Sequence, residues 1–278
     1  MPEDFFPGVE SHFRGAHYAV LDAGAHVLAW TPAGQLPVLW VSPLARFEPG
    51  VAVRGGIPVV FPWFGAGREG NRTPAHGFAR TASWRRERVT NELGSGGALE
   101  IRHALTADGF DTAPFVARLV SRFSESQLEV HLEVTNPGTA DFTYEEALHT
   151  YLAVSDVANV SLDGLDGHAY LDKVATVPGT REVQAGPVRL AGETDRVYDH
   201  EGTVVVADPA WSRSIEVAKD GSANTVVWNP GATAGGGLAD VRQNWPGFVC
   251  VEAANAGGAA IRLAPGETHI LTQRVRLV

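Results

Sequence analysis

The chain has 278 residues, 44% of them hydrophobic and 19% charged, a balance that supports a buried core and excludes a disordered chain. Its 32 acidic residues outnumber its 22 basic ones, and the formal charge of -10 disfavours binding to nucleic acid or to an anionic membrane. The single cysteine, Cys250, excludes an intrachain disulfide and a CxxC metal site.

The N-terminal residues argue against export and membrane insertion. The opening segment MPEDFFPGVE carries acidic residues where a secretory signal carries basic ones. Residues 23–45 lack charged side chains over a length that could cross a bilayer, but Pro32, Pro37 and Pro43 interrupt any helix there. Together with the lone cysteine, these features predict a cytoplasmic protein without a membrane partner.

The segment VRGGIPVVFPWFG, residues 53–65, sets one cation among apolar residues. Pro58 and Pro62 cannot donate the hydrogen bonds of a central strand, so we expect this segment at a sheet edge or in a cleft. Gly55 and Gly56 permit a positive φ or a close backbone approach immediately after Arg54. Arg54 is therefore a candidate ligand-binding residue, and the alternative is an ordinary ion pair at a turn.

The segment PAHGFAR, residues 74–80, brings an imidazole, an aromatic ring and a guanidinium close together in sequence. In an extended conformation, His76, Phe78 and Arg80 would share one surface. A guanidinium fork matches phosphate geometry, and an aromatic face can stack on a sugar. The alternative is a surface histidine and arginine beside a core phenylalanine.

Alternation of apolar and polar residues is the dominant pattern of the chain. In LEVHLEV, residues 128–134, the leucines and valines share one face while the glutamates and the histidine share the other. Comparable runs are TVVVAD, SIEVAK, NTVVWNPG, GFVCVEA and ILTQRVRL, with glycines and prolines between them. We predict an all-β fold: a single domain over residues 1–278, built as a sandwich of mainly antiparallel strands.

Two later segments contain candidate acid–base residues. His149 lies in YEEALHTYLAVSD, residues 144–156, where a helix and a strand are both compatible with the pattern. Glu252 ends the apolar run of FVCVEAANA on the face it shares with Cys250, so burial should raise its pKa above the ordinary value of about 4.3. A hydrogen-bonded core histidine and a salt-bridged glutamate are the alternatives.

Two loops complete the candidates. Asp195 lies in GETDRVYD with other acidic residues nearby, a pattern that a solvated loop also explains. Residues 231–240, GATAGGGLAD, are rich in glycine, and no helical pattern follows them, so we predict a loop there instead of a phosphate cradle.

Several of these motifs occur together in one known family. The segments VRGGIPVVFPWFG, PAHGFAR, LHTYLAVSD, GETDRVY, VVWNPG and FVCVEAAN follow one another in this order over residues 53–255. Each is moderately specific, and their shared order closely resembles the hexose-6-phosphate mutarotases of the aldose 1-epimerase family. The resemblance implies a galactose mutarotase-like β-supersandwich that interconverts the α and β anomers of a hexose 6-phosphate.

The resemblance also implies roles for individual residues. His149 and Glu252 match the family's acid and base, while Arg54 and Arg80 match the arginines beside the 6-phosphate. His76 and Asp195 match residues that bind sugar hydroxyls. The implied partner is a small sugar phosphate, with no metal and no organic cofactor, and we expect a monomer because nothing resembles a coiled-coil seam.

Three other functions are compatible with parts of the pattern. An epimerase of non-phosphorylated aldoses would not need the two arginines. A non-catalytic carbohydrate-binding protein would not need His149 opposite Glu252. A glycosidase would pair Glu252 with a second carboxylate instead of an imidazole.

Overall fold

The computed structural model describes residues 7–278, and within this range the chain forms 21 strands and one short α-helix, α1 (Gly231–Gly237). The strands are β1 (Gly8–Phe13), β2 (Ala16–Leu21), β3 (Val27–Thr31), β4 (Val59–Val60), β5 (Arg85–Asn91), β6 (Leu99–Thr106), β7 (Val116–Phe123), β8 (Gln127–Thr135), β9 (Phe142–Tyr144), β10 (Glu146–Leu148), β11 (Tyr151–Ala153), β12 (Ser161–Asp163), β13 (Ala169–Asp172), β14 (Arg181–Val183), β15 (Thr194–Asp199), β16 (Val204–Asp208), β17 (Arg213–Asp220), β18 (Asn224–Asn229), β19 (Phe248–Asn255), β20 (Ile261–Leu263) and β21 (Thr268–Leu277).

Two eight-stranded sheets dominate the structure. One has the order β14-β13-β15-β18-β19-β10-β4, with β11 also paired to β19, and the other has the order β12-β16-β17-β21-β8-β7-β6-β5. Strands β1 to β3 form a separate three-stranded sheet, and β20 pairs with β9. Every ladder between these strands is antiparallel, as the alternating sequence pattern predicts.

The main hydrophobic core joins the two large sheets. Strand β8 alternates between buried and half-buried residues, and its buried Leu132 belongs to the same cluster as Val249 and Val251 of β19. Burying one such side chain contributes about 1.5–3 kcal/mol, so the alternating faces are what hold the sheets together. The prediction of an all-β sandwich of mainly antiparallel strands is confirmed.

Strand β19 is buried along its whole length and uses its two faces differently. Val249 and Val251 point into the core between the sheets, whereas Phe248 and Cys250 join a second cluster with Tyr151. Successive side chains of a strand alternate in direction, so Glu252 lies on the second face with Cys250. This is the arrangement that the sequence predicts.

The RGG segment also follows the prediction. Only Val59 and Val60 of residues 53–65 form a strand, and this strand, β4, lies at the end of its sheet. Gly55 and Gly56 have φ angles of 112° and 64°, and a Cβ at either position would collide with backbone carbonyl oxygens of neighbouring segments. Glycine is therefore required for the close approach that sets the direction of Arg54.

One local prediction is wrong, that of a loop over residues 231–240, and one conformation considered for another segment is not adopted. Residues 74–80 are not extended, because His76 and Gly77 have φ angles of 66° and 72° and Ala79–Thr81 forms a 3-10 turn. The glycine-rich segment contains helix α1, whose first turn is fixed by the Asn229 side chain accepting a hydrogen bond from the Gly231 amide. The Asn229 contact is local, whereas the turn at His76 is held by the Gly65 carbonyl, which accepts from the His76 amide at 2.6 Å.

Residues 144–156, for which a helix and a strand were both compatible with the sequence, form strands β9, β10 and β11. Within residues 7–278, no helix combines the length and apolar character needed to cross a bilayer. The segment at 23–45 contains β3 followed by turns.

Candidate active site

The pairing of β10 and β11 with β19 brings His149 to Glu252. Leu148 is opposite Ala253 and Tyr151 is opposite Cys250. His149 and Thr150, between β10 and β11, therefore face Val251 and Glu252 of β19. The Val251 amide donates to the Thr150 carbonyl at 3.1 Å and so holds the junction of β10 and β11 against β19. His149 and Glu252, 103 positions apart, thereby become neighbours.

His149 Nδ1 lies 3.2 Å from Glu252 Oε1, and the two side chains are only 9% and 1% exposed. The atoms are within ion-pair distance but are not aligned as a hydrogen bond, since neither His149 Nδ1 nor Glu252 Oε2 has a hydrogen-bond partner within residues 7–278. Buried polar atoms without partners are rare in proteins, and here both belong to one pair. They are poised for a ligand.

Burial raises the pKa of Glu252 well above its ordinary value, and the nearby Asp195 charge adds to this effect. Burial also lowers the pKa of His149 well below its ordinary value, and electrostatic interactions with His76, Arg80 and Arg54 add to this effect. The raised pKa of Glu252 is the direction that the sequence predicts. The low-dielectric environment favours a neutral pair that holds one transferable proton.

Aromatic rings hold the His149 imidazole in place. It stacks on Tyr151 at a centroid distance of 4.8 Å with an interplanar angle of 7°, and it meets Trp228 edge-on at 5.8 Å. His76 approaches it edge-on at 5.7 Å. The ring of His149 is therefore packed on three sides, which restricts its rotation.

Arg54 is held by two partners. Its Nε donates to Asp240 Oδ2 at 3.1 Å, and its Nη1 donates to the Tyr151 hydroxyl at 2.9 Å. Burial alone would lower the Arg54 pKa, but Tyr151 and Asp240 outweigh it and raise that pKa. Through Tyr151, the arginine contacts the ring that stacks on His149.

Arg80 points into the same region from the turn after His76. Its Nη2 donates to the Ala75 carbonyl at 2.7 Å. Burial lowers the Arg80 pKa, and the neighbouring positive charge of Arg54 contributes in the same direction. Two guanidinium groups that repel one another would be stabilised by an anion between them.

His76 is neutral in this environment, because burial and then the charges of Arg80 and Lys173 lower its pKa to about 3. Its Nδ1 accepts a hydrogen bond from the Gly65 amide at 3.3 Å, which leaves Nε2 to carry the proton. Asp195, at the start of β15, pairs with Lys173 Nζ at 3.1 Å.

A cavity of about 600 Å³ is lined, among others, by Trp63, Arg72, Asp141 and Glu145. It does not include His149 or Glu252. The acid–base pair defines the candidate site because buried, unpartnered ionisable atoms of His149 and Glu252 meet there beside two arginines.

Comparison with known proteins places this geometry in a family. A sequence model of the family described as aldose 1-epimerase matches residues 10–276. The chain belongs to the aldose 1-epimerase family. The match extends over the sheets, the acid–base pair and both arginines.

Individual relatives of this aldose 1-epimerase agree with the family. A protein of Escherichia coli (strain K12) is 38% identical over 240 residues, covering 84% of this chain and 78% of the relative, and one of Salmonella typhimurium is 36% identical over 240 residues, covering 82% and 76%. Both are named "Putative glucose-6-phosphate 1-epimerase". The crystal structure of a "putative mutarotase" from Salmonella typhimurium superposes with a TM-score of 0.89 at 28% identity, covering 99% of this chain and 91% of that one. A galactose mutarotase-like protein from Lactobacillus casei, at 15% identity and a TM-score of 0.74, shares the fold.

The structure of this aldose 1-epimerase brings all six sequence-predicted residues toward one region. Direct contacts link His149 to Glu252 and to His76, and electrostatic effects link Arg80 and Asp195 to Glu252. Sequence reasoning missed four further residues of this region, namely Tyr151, Lys173, Trp228 and Asp240. Tyr151 and Trp228 lie within the family-like segments, whereas no sequence signal indicates Lys173 or Asp240.

Cys250 adds a third potential metal ligand beside the acid–base pair. Its sulfur and one ligand atom each of His149 and Glu252 all lie within 4.8 Å of one another. Burial raises the Cys250 pKa well above its ordinary value, and the Glu252 charge adds to this, so the thiol stays protonated. The pair can exchange protons with a sugar without help from this thiol.

Proposed function

We propose that this aldose 1-epimerase interconverts the α and β anomers of hexose 6-phosphates, with glucose 6-phosphate as its substrate. The observation that carries the proposal is the buried pair of His149 Nδ1 and Glu252 Oε1, 3.2 Å apart, beside two arginines. The names of the two bacterial relatives support the choice of glucose 6-phosphate.

Anomer exchange needs one proton removed and one delivered. Glu252 as the carboxylate takes the O1 proton, the C1–O5 bond breaks as the C1–O1 double bond forms, and protonated His149 gives its proton to O5. The resulting aldehyde rotates about C1–C2, and the reverse steps close the ring on the other face. Each positioned proton transfer contributes roughly 10²- to 10⁴-fold to the rate.

The neutral state of the His149–Glu252 pair is compatible with this chemistry. Moving one proton across 3.2 Å converts neutral Glu252 and His149 into carboxylate and imidazolium, and the net charge of the pair does not change. The site therefore supplies an acid and a base together without taking up a proton from solvent. This chemistry requires neither a metal nor an organic cofactor.

The two arginines are proposed to bind the 6-phosphate. The whole chain carries a formal charge of -10, so an anionic substrate needs local positive charge. Arg54 uses Nε and Nη1 for protein partners, which leaves Nη2 for a ligand, and Arg80 keeps Nε and Nη1. We propose that neutral His76 and Asp195 bind sugar hydroxyls.

The acid–base assignment is tested by exchange spectroscopy. NMR saturation transfer between the anomers of glucose 6-phosphate should show fast exchange with the wild-type protein. His149→Ala and Glu252→Gln should each lower kcat by roughly 10²-fold or more. Wild-type rates in either variant would refute the roles, and a protein that binds the sugar phosphate without accelerating exchange would be a carbohydrate-binding module.

The phosphate assignment is tested by comparing two substrates. Arg54→Ala and Arg80→Ala should weaken kcat/KM for glucose 6-phosphate by roughly 10-fold or more while leaving free glucose nearly unchanged. Equal losses on both sugars would favour an epimerase of non-phosphorylated aldoses. We also propose a cytoplasmic monomer, which size-exclusion chromatography with light scattering and cell fractionation would check.

A further inference from the structure

The hairpin of β1 and β2 places three potential metal ligands on one face. His12 and His17 are directly opposite in the antiparallel register, so their side chains share a face. Glu10 precedes His12 by two residues on β1 and therefore points the same way. Neither strand contributes a residue to the candidate active site.

The three side chains lie close together. The imidazole rings of His12 and His17 stack at a centroid distance of 4.5 Å with an interplanar angle of 8°. Glu10 Oε1 lies 2.8 Å from His17 Nε2 and 3.6 Å from His12 Nε2, and all three ligand atoms lie within 4.8 Å of one another. One carboxylate oxygen thus stands between two imidazole nitrogens.

These separations are close to those around a tetrahedral zinc ion. With Zn–N and Zn–O bonds of about 2.0–2.2 Å, neighbouring ligand atoms are about 3.3–3.6 Å apart. A metal ion lies in the plane of each imidazole that binds it, so the stacked rings must turn until both nitrogens point to one position. His12 is 70% exposed and Glu10 is 38% exposed, so an ion can enter from solvent and the His12 ring has room to turn.

We propose that His12, His17 and Glu10 form a Zn²⁺ site on the β1–β2 hairpin. Two imidazoles and one carboxylate are a donor set that zinc accepts, and the fourth position faces solvent and takes a water molecule. The negative charge of the whole protein favours cation binding. A bound ion would tie β1 to β2 and so stabilise the three-stranded sheet.

Isothermal titration of the full chain, without a histidine tag, with zinc chloride tests the site. We expect one ion per chain for the wild type, and weakening of roughly 10-fold or more for either His12→Ala or His17→Ala. The matched control is His131→Ala, because His131 Nε2 also contacts a glutamate, Glu129, at 2.7 Å but has no second imidazole opposite it. This control should bind zinc like the wild type.

Thermal unfolding gives a second readout that does not depend on catalysis. Zinc should raise the melting temperature of the wild type and not that of His12→Ala or His17→Ala, whose melting temperatures without zinc report whether they fold. Absence of zinc binding by the wild type, or binding by both variants as tight as that of the wild type, overturns the proposal. Loss of binding in Cys250→Ser also overturns it, because the ion would then lie at His149, Cys250 and Glu252.

Discussion

Arg54 has an anionic partner inside the protein before any substrate binds. Asp240 accepts from Arg54 Nε, and both side chains are about a quarter exposed, at 23% and 27%. A sugar phosphate that binds Arg54 must therefore share the guanidinium with a carboxylate, which repels it. Asp240 follows helix α1 and is the last residue of the glycine-rich segment, which thus contacts Arg54 through this side chain.

Asp240→Asn should tighten binding of glucose 6-phosphate. The amide keeps the shape of the carboxylate but removes a repulsion of about 1 kcal/mol, which corresponds to a KM roughly fivefold lower. Values of KM for glucose 6-phosphate and for free glucose check this, and the latter should not change. A higher KM for the phosphate would mean that Asp240 serves mainly to hold Arg54 in place.

At the level of elements, the second large sheet supports the acid–base pair from behind. Gln273 on β21 is 1% exposed, accepts a hydrogen bond from the Thr150 hydroxyl and donates to the Val251 carbonyl at 3.0 Å. These two residues directly neighbour His149 and Glu252 in sequence. One side chain of the opposite sheet therefore fixes the spacing of β19 and the β10–β11 junction.

Gln273→Met should show whether Gln273 positions the acid–base pair, because it should change kcat without changing substrate binding. The substitution keeps the volume but removes the buried hydrogen bonds to the Thr150 hydroxyl and the Val251 carbonyl, so the positions of His149 and Glu252 become less well fixed. We expect kcat for glucose 6-phosphate to fall roughly 10-fold or more with little change in KM. Steady-state kinetics decides this, and a change confined to stability would show that Gln273 only holds the sheets together.

A second supporting contact lies under the RGG turn. His26 is buried, and its Nε2 donates to the Gly55 carbonyl at 2.8 Å, immediately beside Arg54. Burial lowers the pKa of His26 to about 4, and Arg80 adds to this effect against the Gly55 hydrogen bond. The histidine is thus neutral when the protein is folded.

This shift predicts a pH-dependent stability. In the unfolded chain, His26 has an ordinary pKa of about 6.5 and is protonated below that pH. In the folded protein it is protonated only near pH 4 and below. Stability from this residue is therefore complete above pH 6.5 and is lost as the pH falls to about 4, by up to about 3 kcal/mol. Glutamine reaches the same carbonyl without titrating.

Urea unfolding of the wild type and of His26→Gln across this range checks the prediction. The stability of the wild type relative to the variant should decline between pH 6.5 and pH 4, because all other groups titrate alike in both proteins. A constant difference would show that His26 does not titrate as a buried neutral group.

The whole molecule depends on the core between the two large sheets. Leu132 of β8 is fully buried there, between its cross-strand partners Leu119 and Leu271. Leu132→Ala should reduce the free energy of unfolding by about 2–5 kcal/mol, measured with denaturant. Leu36→Ala, at a residue 47% exposed, is the control and should change it little.

Leu132→Ala also serves as a control for Gln273→Met, because it destabilises the same core. Leu132 packs in the core with Val251, on the opposite face of β19 from Glu252, so its loss should lower kcat much less than Gln273→Met does under conditions where the protein stays folded. If Leu132→Ala lowered kcat as much as Gln273→Met, general destabilisation would explain both effects.

Sequence alone predicted the all-β class, the alternating faces of β8 and β19, the edge position of β4 and the glycines after Arg54. These features depend on period-two alternation and on the special backbone freedom of glycine and proline, which are local properties. Local sequence did not predict helix α1 or the turn at residues 74–80, where the His76 amide donates to the Gly65 carbonyl.

Only the tertiary structure decided how the candidate site is assembled. It set the 3.2 Å distance between His149 and Glu252, the direction of the His149 pKa shift, and the contacts of Lys173 and Asp240. A strand pattern states which face a residue takes but not which strand lies opposite it. Proximity and burial arise from that pairing, and they determine the electrostatics of a site.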